Sequence, residues 1–388
     1  MPINSGKEQN YKFVIWGSVL TALILCIYAV QLSVPVISDE TTTMANAAWI
    51  TGYDWSLMIA ALGGYYYRFA QALMTVPFFA WLDEPDAIYR LTMVLQTIIQ
   101  TSIVPVVFVI CRRHLKVASE KVAVLIGVCV CLIPSMALYT FYYRGDYLLG
   151  VLPWYTLLAF LETMKADAGG RRTKRAFFTV LVVVFCVAAY MSHTRGIVLI
   201  IAVFLSAVII RIFWKRKTLH WPLLIISFAL LMMIDSEAGA VLKEALYSIG
   251  GANANTIENV DMGSYFNLFS VQALKDIVLL CLSWLYTLVT TTQGLVLIGT
   301  FVSVVFLMKV FFSKKIVALD EEKAVILFAL LVFAGYYAVG ALFFKGTYLA
   351  LRTGELERRV DRLLYDRYAI CGAGMVVFVA LYAICCKK

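Results

Sequence analysis

Two adjacent carboxylates, Asp39 and Glu40, follow the first long apolar run of the chain. Ionised side chains at the mouth of a membrane span are costly unless they hold a cation, accept a proton or position a substrate. The alternative is a solvated loop, or a cap for the helix predicted over Thr42–Ile50. Asp39 and Glu40 are therefore the candidate catalytic residues.

A second charged segment lies near the other end of the chain, between residues 345 and 367. Arginine suits a phosphate, because its planar fork can donate to two oxygens at once. At helical spacing Arg358, Arg362 and Tyr365 share one face, which could hold a phosphate. A salt-bridged amphipathic helix on the membrane surface is the alternative. Candidate substrate-binding residues here are Lys345, Arg358, Arg362, Tyr365 and Arg367.

Four more substrate-binding candidates are Arg144, Asp146 and Arg195, which lie between apolar runs, and Tyr66, which lies in the apolar segment 65–82. Asp146 could instead form a simple ion pair with Arg144 at a helix end. Arg195 could instead extend towards lipid head groups. The neighbouring His193 is interpreted as a structural partner rather than a metal ligand. No metal ligand is assigned, although the clustered acids leave a divalent cation open.

The elements that position these residues must lie in lipid. Of 388 residues, 62% are hydrophobic and 15% charged, with a mean hydropathy of +0.85, which indicates a membrane protein. The net charge of +9 is distributed as the positive-inside rule requires, except for the basic residues between 345 and 367, so nucleic-acid binding is not expected. The nine cysteines lie in or beside apolar runs and are interpreted as core residues. The basic clusters are Lys7 and Lys12; Arg112, Arg113 and Lys116; Arg171, Arg172, Lys174 and Arg175; Arg211, Lys215, Arg216 and Lys217; Lys309, Lys314 and Lys315; Lys387 and Lys388.

With these clusters inside, the pattern predicts one all-α polytopic domain (1–388) with about ten transmembrane helices and both termini cytoplasmic. Two further apolar segments, 65–82 and 271–292, are interpreted as interfacial helices because counting either alone as a span would invert every later loop. The extracytoplasmic loops are then 37–86, 235–293 and 345–367. The predicted spans are Phe13–Val36, Ala87–Cys111, Val122–Tyr139, Tyr147–Met164, Ala176–Met191, Ile197–Trp214, Trp221–Ile234, Gly294–Phe312, Ala324–Phe344 and Tyr368–Cys386.

The order Ser38-Asp39-Glu40-Thr41, then Gly52-Tyr53-Asp54-Trp55, resembles the first external loop of the GT-C superfamily. These membrane glycosyltransferases include the protein mannosyltransferases and the lipid A aminoarabinose transferases. The segment 358–368 resembles a second element of such proteins, with Asp366 where Gly is usual. Where many relatives carry Lys-Pro-Pro or His-Pro-Pro, this chain has 63–68, so those substrate contacts do not transfer.

The resemblance implies sugar transfer, with inversion at the anomeric carbon, from a polyprenyl-phosphate-linked donor to an acceptor hydroxyl on the extracytoplasmic face. Asp39 would act on that hydroxyl and Glu40 would support it. The acceptor could be a glycan, a lipid or a protein. The alternatives are a transporter or flippase of lipid-linked saccharides, and a glycan polymerase or ligase with a diphosphate-linked donor.

Overall fold

The computed structural model describes residues 11–35, 37–252, 271–312, 320–344, 354 and 367–387. Within these ranges the regular elements are helices, and ten of them are long and apolar enough to cross a membrane. Helices satisfy their backbone hydrogen bonds internally, as a chain in lipid requires. The predicted all-helical polytopic fold is confirmed.

Sixteen α-helices are defined in the described ranges. The stretch from α5 to His114 is one continuous candidate span, because a π-helical turn (Ile110–His114) extends α6. Two 3₁₀ turns, Ala72–Met74 and Thr194–Gly196, precede α4 and α11. The helices are α1 (Lys12–Ala29), α2 (Ser38–Ile50), α3 (Ser56–Ala61), α4 (Val76–Trp81), α5 (Pro85–Thr101), α6 (Ile103–Val109), α7 (Glu120–Cys131), α8 (Pro134–Tyr139), α9 (Gly145–Ala168), α10 (Arg172–Ser192), α11 (Ile197–Phe213), α12 (Trp221–Tyr247), α13 (Val271–Thr291), α14 (Leu295–Phe312), α15 (Asp320–Phe343) and α16 (Arg367–Cys386).

The predicted third span, Val122–Tyr139, is broken into α7 and α8. Proline disfavours helical geometry in the residue before it, and Ile133 before Pro134 is accordingly non-helical, with ψ 122°. The break leaves the Cys131 carbonyl without a helical partner, and Gln100 donates to it from Nε2 at 3.2 Å. The broken segment is absent from the ten candidate spans, and α13 takes its place in that set.

The two segments interpreted as interfacial behave differently. Residues 65–82 form only a 3₁₀ turn and the six-residue α4. Residues 271–292 form α13, which is long and apolar enough to span. Trp284 of α13 packs against Phe344, with ring centroids 5.7 Å apart, and the Tyr337 hydroxyl donates to the Cys281 carbonyl. The middle of α13 therefore contacts the last turns of α15, and its interfacial position stays a prediction.

The core is built where α9, α10, α15 and α16 pack together. Trp154 of α9 meets Phe378 of α16 edge to face at 5.7 Å, and Phe160 stacks near Phe328 of α15. These contacts fix α9 and α16 side by side. Each of these two helices carries a charged residue of the site described next in its first turn, Asp146 in α9 and Arg367 in α16.

Candidate active site

Asp146, the second residue of α9, lies at the centre of a buried ion-pair cluster. Its Oδ1 accepts a hydrogen bond from Nη2 of Arg195, and its Oδ2 accepts one from Nε of Arg367. Asp146 is 2% exposed, Arg195 6% and Arg367 7%. Buried charges are tolerated when they are paired and hydrogen-bonded. We define the ion-pair cluster as these three residues together with Asp39 and Arg144.

Asp39 joins this cluster from the first turn of α2. Nη2 of Arg144 donates to its Oδ2, and Nη1 of Arg367 lies 4.0 Å from the same oxygen. The Asp39 side chain keeps a quarter of its surface exposed, unlike that of Asp146. Asp39 is thus the accessible carboxylate of the cluster, and Arg367 lies between the two acids.

Two glycines bring the elements of the cluster close together. A Cβ on Gly145, at the start of α9, would overlap the carbonyl oxygen of Ser192 at the end of α10. A Cβ on Gly196 would overlap the backbone of Ala189 and Tyr190. Without these close approaches, Arg195 in the turn after α10 would not reach Asp146.

Aromatic and imidazole rings surround the cluster. The Arg195 guanidinium lies 3.5 Å from the centroid of the Tyr368 ring, a cation–π arrangement. Nε2 of His193 lies 3.2 Å from Nη2 of Arg195. Burial, and then the positive charge of Arg195, hold the pKa of His193 well below its usual range. The ring is therefore neutral at pH 7 and adds no charge.

Tyr67 lies within interaction distance of Asp39. Its ring centroid lies 6.2 Å from that of His193, and burial, followed by the negative charge of Asp39, raises its pKa. The predicted residue, Tyr66, instead packs edge to face on Tyr247 of α12 at 5.4 Å. Its side chain therefore faces α12.

Glu40 is fully buried and faces away from Asp39. Its Oε2 accepts hydrogen bonds from the Tyr89 hydroxyl at 2.5 Å and from the backbone N–H of Tyr143 at 2.8 Å. Its Oε1 accepts one from the backbone N–H of Ile37 at 3.2 Å. These bonds tie α2 to the chain just before Arg144. Glu40 is thus placed to position the Asp39–Arg144 pair, rather than to contact a substrate.

Arg68 forms a second ion pair beside the cluster. Its Nη1 lies 2.6 Å from Oδ2 of Asp235 in α12, and its guanidinium lies 3.9 Å from the centroid of the Tyr190 ring. Arg68 has φ 72°, a left-handed conformation that is uncommon outside glycine. Neither Tyr67 nor Arg68 was among the site residues predicted from the sequence. The sequence feature that could have indicated them is the polar and aromatic run after Gly63 and Gly64. This run has no periodicity from which the direction of its side chains could be predicted.

The structure brings together five of the predicted site residues, namely the members of the ion-pair cluster. Arg144 pairs with Asp39 and not with Asp146, and Arg195 is buried rather than extended towards lipid. Glu40 and Tyr66 lie outside this cluster, with the contacts given above. The other four predicted residues lie outside the described residues: Lys345, Arg358, Arg362 and Tyr365.

Over the described ranges, the ion-pair cluster carries three guanidinium groups and two carboxylates, an excess of one positive charge. Such a cluster can bind an anion while keeping one carboxylate accessible. In the same ranges, no group of three or more His, Cys, Asp or Glu side chains could hold a metal ion. A divalent cation as cofactor stays untested.

Comparison with known proteins adds a likeness of fold. The chain is similar to the crystal structure of ArnT from Cupriavidus metallidurans in the apo state, at 14% sequence identity and a TM-score of 0.45. The match covers 95% of this chain and 76% of that one. No protein-family model and no curated protein matches this chain. The likeness concerns the helical polytopic architecture alone.

Proposed function

We propose that this protein is a membrane glycosyltransferase that moves a sugar from a polyprenyl-phosphate-linked donor to an acceptor hydroxyl on the extracytoplasmic face. One observation carries the proposal. An accessible carboxylate from the first loop, Asp39, lies beside guanidinium groups from the middle and the end of the chain, Arg144 and Arg367. A base beside fixed phosphate-binding groups is what this transfer needs.

In the proposed reaction the acceptor oxygen attacks the anomeric carbon of the sugar from the face opposite the phosphate. Asp39 takes the hydroxyl proton as the new carbon–oxygen bond forms. The bond between the anomeric carbon and the phosphate oxygen breaks, and its electron pair leaves with the polyprenyl phosphate. The configuration at the anomeric carbon is inverted.

The arginines stabilise the negative charge that develops on the leaving phosphate. Their positions are held in advance by Asp146 and by the Tyr368 ring, so little reorganisation is needed during the reaction. The low dielectric of a buried cluster strengthens each charge interaction. Asp146 is thus a positioning residue for Arg195 and Arg367.

The charge of the cluster favours a monophosphate-linked donor. A sugar phosphodiester carries one negative charge, which matches the excess of one positive charge on the described cluster. A diphosphate-linked donor carries two negative charges.

One experiment separates transfer from polymerisation. The purified protein is supplied with monophosphate-linked or diphosphate-linked sugars, and release of the carrier is assayed. If the protein releases the carrier from neither donor, the result would favour a transporter. An EDTA titration of the activity tests for a required cation.

Asp39→Asn tests the proposal directly. Loss of a general base lowers the turnover rate by about 10²–10⁴-fold. Because Asp39 is partly exposed, the variant should stay folded and should bind donor. Asp86→Asn is the matched control, since Asp86 is an exposed acid at the start of α5 that pairs with Arg90 at 3.6 Å. Full activity in Asp39→Asn would remove Asp39 from the mechanism.

A further inference from the structure

A basic cavity lies at the end of the bundle opposite the ion-pair cluster. It has a volume of about 360 Å³ and lies between the end of α9, the start of α10 and the connection from α11 to α12. Asp167, which lines it, follows Asp146 by 21 residues along α9, a distance of roughly 30 Å at 1.5 Å per residue. Because of this distance, the cavity belongs to a separate region of the molecule. We call it the basic cavity.

The lining of the basic cavity is strongly positive. Four cationic side chains contribute to it: Arg171, Arg172, Arg175 and Lys217. Asp167 is the acidic residue of the lining, and Nη1 of Arg175 donates to it. Three cationic side chains of the lining thus remain uncompensated by an acid within it. A cleft lined by charges of one sign raises the local concentration of the opposite ion, here an anion.

Two buried nitrogen atoms of the lining also lack a partner. Nε of Arg175 and Nδ1 of His220 have no hydrogen-bond partner within the described part of the chain. Buried polar atoms are normally hydrogen-bonded. The Arg175 Nε–H can only donate, so a group that binds to it must supply an acceptor.

An adjoining cavity indicates where that anion comes from. This second cavity, of about 310 Å³, shares Arg171 with the first and adds Lys165 and Lys174. Phe177 and Phe178 also line it, and 58% of the Phe177 surface is exposed on the outside of α10. A cationic surface beside an exposed aromatic ring, that of Phe177, matches a lipid, whose charged head and apolar tails meet at the membrane boundary.

We propose that the basic cavity binds a phosphoryl anion, supplied by the head group of an anionic phospholipid. Arg171, Arg172 and Lys217 contact the phosphate oxygens, and Nε of Arg175 donates to the same group. The acyl chains leave past Phe177 into the surrounding lipid. The site is independent of the proposed sugar transfer.

The test uses the full-length protein in detergent and native mass spectrometry. Phosphatidylglycerol is titrated, with phosphatidylcholine as the neutral comparison and inorganic phosphate as the soluble comparison. The cavity variant combines Arg171→Gln, Arg172→Gln and Lys217→Gln. The control variant combines Arg211→Gln, Lys215→Gln and Lys309→Gln, which remove the same charge from exposed positions outside the lining. Gel filtration and thermal unfolding confirm that both are folded, and single Lys217→Gln replaces the triple variant otherwise.

Each basic residue that acts on an anionic lipid head group contributes about a fivefold factor in binding, and the three control residues lie outside the cavity that would hold this head group. We expect phosphatidylglycerol binding to fall by at least about tenfold in the cavity variant and by less than about threefold in the control variant. Phosphate binding that is lost in the cavity variant, without lipid binding, would support the site with a soluble source. Equal losses in the two triple variants, or no preference over phosphatidylcholine, would overturn the proposal.

Discussion

Asp146→Asn is the substitution for which the structure makes the sharpest prediction, because it can be tested without knowing the substrate. Asparagine keeps the shape of the side chain and removes its charge. Arg195 and Arg367 then remain buried, at 6% and 7% exposure, without the carboxylate that both of them bind. The asparagine carbonyl can accept from one of the two guanidinium groups, its NH₂ group cannot accept from the other, and both arginines lose the negative charge of residue 146.

The magnitude follows from burial. Removing one partner of a buried ion pair costs about 3–5 kcal/mol, since the remaining charge is left uncompensated. Asp39 lies 4.0 Å from Nη1 of Arg367 and retains some of the compensation for that residue. Arg195 has no such second acid among its described ion pairs. We therefore expect a loss of about 3–5 kcal/mol in the free energy of unfolding.

The assay is denaturant unfolding of the purified protein in detergent, followed by far-UV circular dichroism. Asp86→Asn is the control, because it makes the same chemical change in an ion pair whose side chains are 45% and 55% exposed. Exposed pairs contribute at most about 1 kcal/mol. The double variant Asp146→Asn, Arg195→Gln removes one uncompensated charge and should recover about 1–3 kcal/mol of the loss.

Equal stability of Asp146→Asn and Asp86→Asn would refute this reasoning. It would mean that water or lipid head groups already solvate the two arginines. An absence of recovery in the double variant would locate the loss elsewhere than in the uncompensated charge of Arg195.

Three further predictions follow from single residues. Glu40→Gln leaves one of its buried donors without an acceptor, so unfolding should become easier by about 1–3 kcal/mol; Tyr89→Phe, which removes one of those donors, should cost less in the same measurement. The pKa of His193 is lowered in the folded state, so the unfolded chain binds more protons below about pH 6.5. The free energy of unfolding should therefore decrease as the pH falls below that value, by up to about 1.4 kcal/mol per pH unit. His193→Gln should reduce this dependence on pH. An unchanged dependence in that variant would show that His193 is not its cause. Gly145→Ala forces a methyl group into the α10 backbone and should cost about 1–3 kcal/mol, whereas Gly250→Ala, with open space around its Cβ, should leave the thermal midpoint nearly unchanged.

Hydropathy was sufficient for most of the fold. Apolar runs long enough to span lipid form helices, because no other local structure satisfies their backbone in that medium. The break at Ile133–Pro134 was harder to predict, since proline can also lie within a continuous span, as Pro153 does in α9. A backbone break within lipid also needs a distant acceptor or donor, here Gln100, that a local pattern does not reveal.

The residue types of the site were also readable from the sequence. Acids and arginines at span ends are costly in lipid, so Asp39, Arg144, Asp146, Arg195 and Arg367 stood out by type and position. The direction of Tyr66 and Tyr67 did not, because a short irregular segment has no periodicity that separates its two faces.

The amino-acid sequence by itself determined that the chain is helical and apolar, and that a few charged residues lie at the ends of its spans. Only the tertiary structure decided which of those charges meet. Asp146 and Arg367 are 221 residues apart in the chain, and Arg144 binds Asp39 rather than its near neighbour Asp146. Such pairing depends on how α2, α9, α10 and α16 pack, because an ion pair forms only where two side chains are brought within a few ångströms.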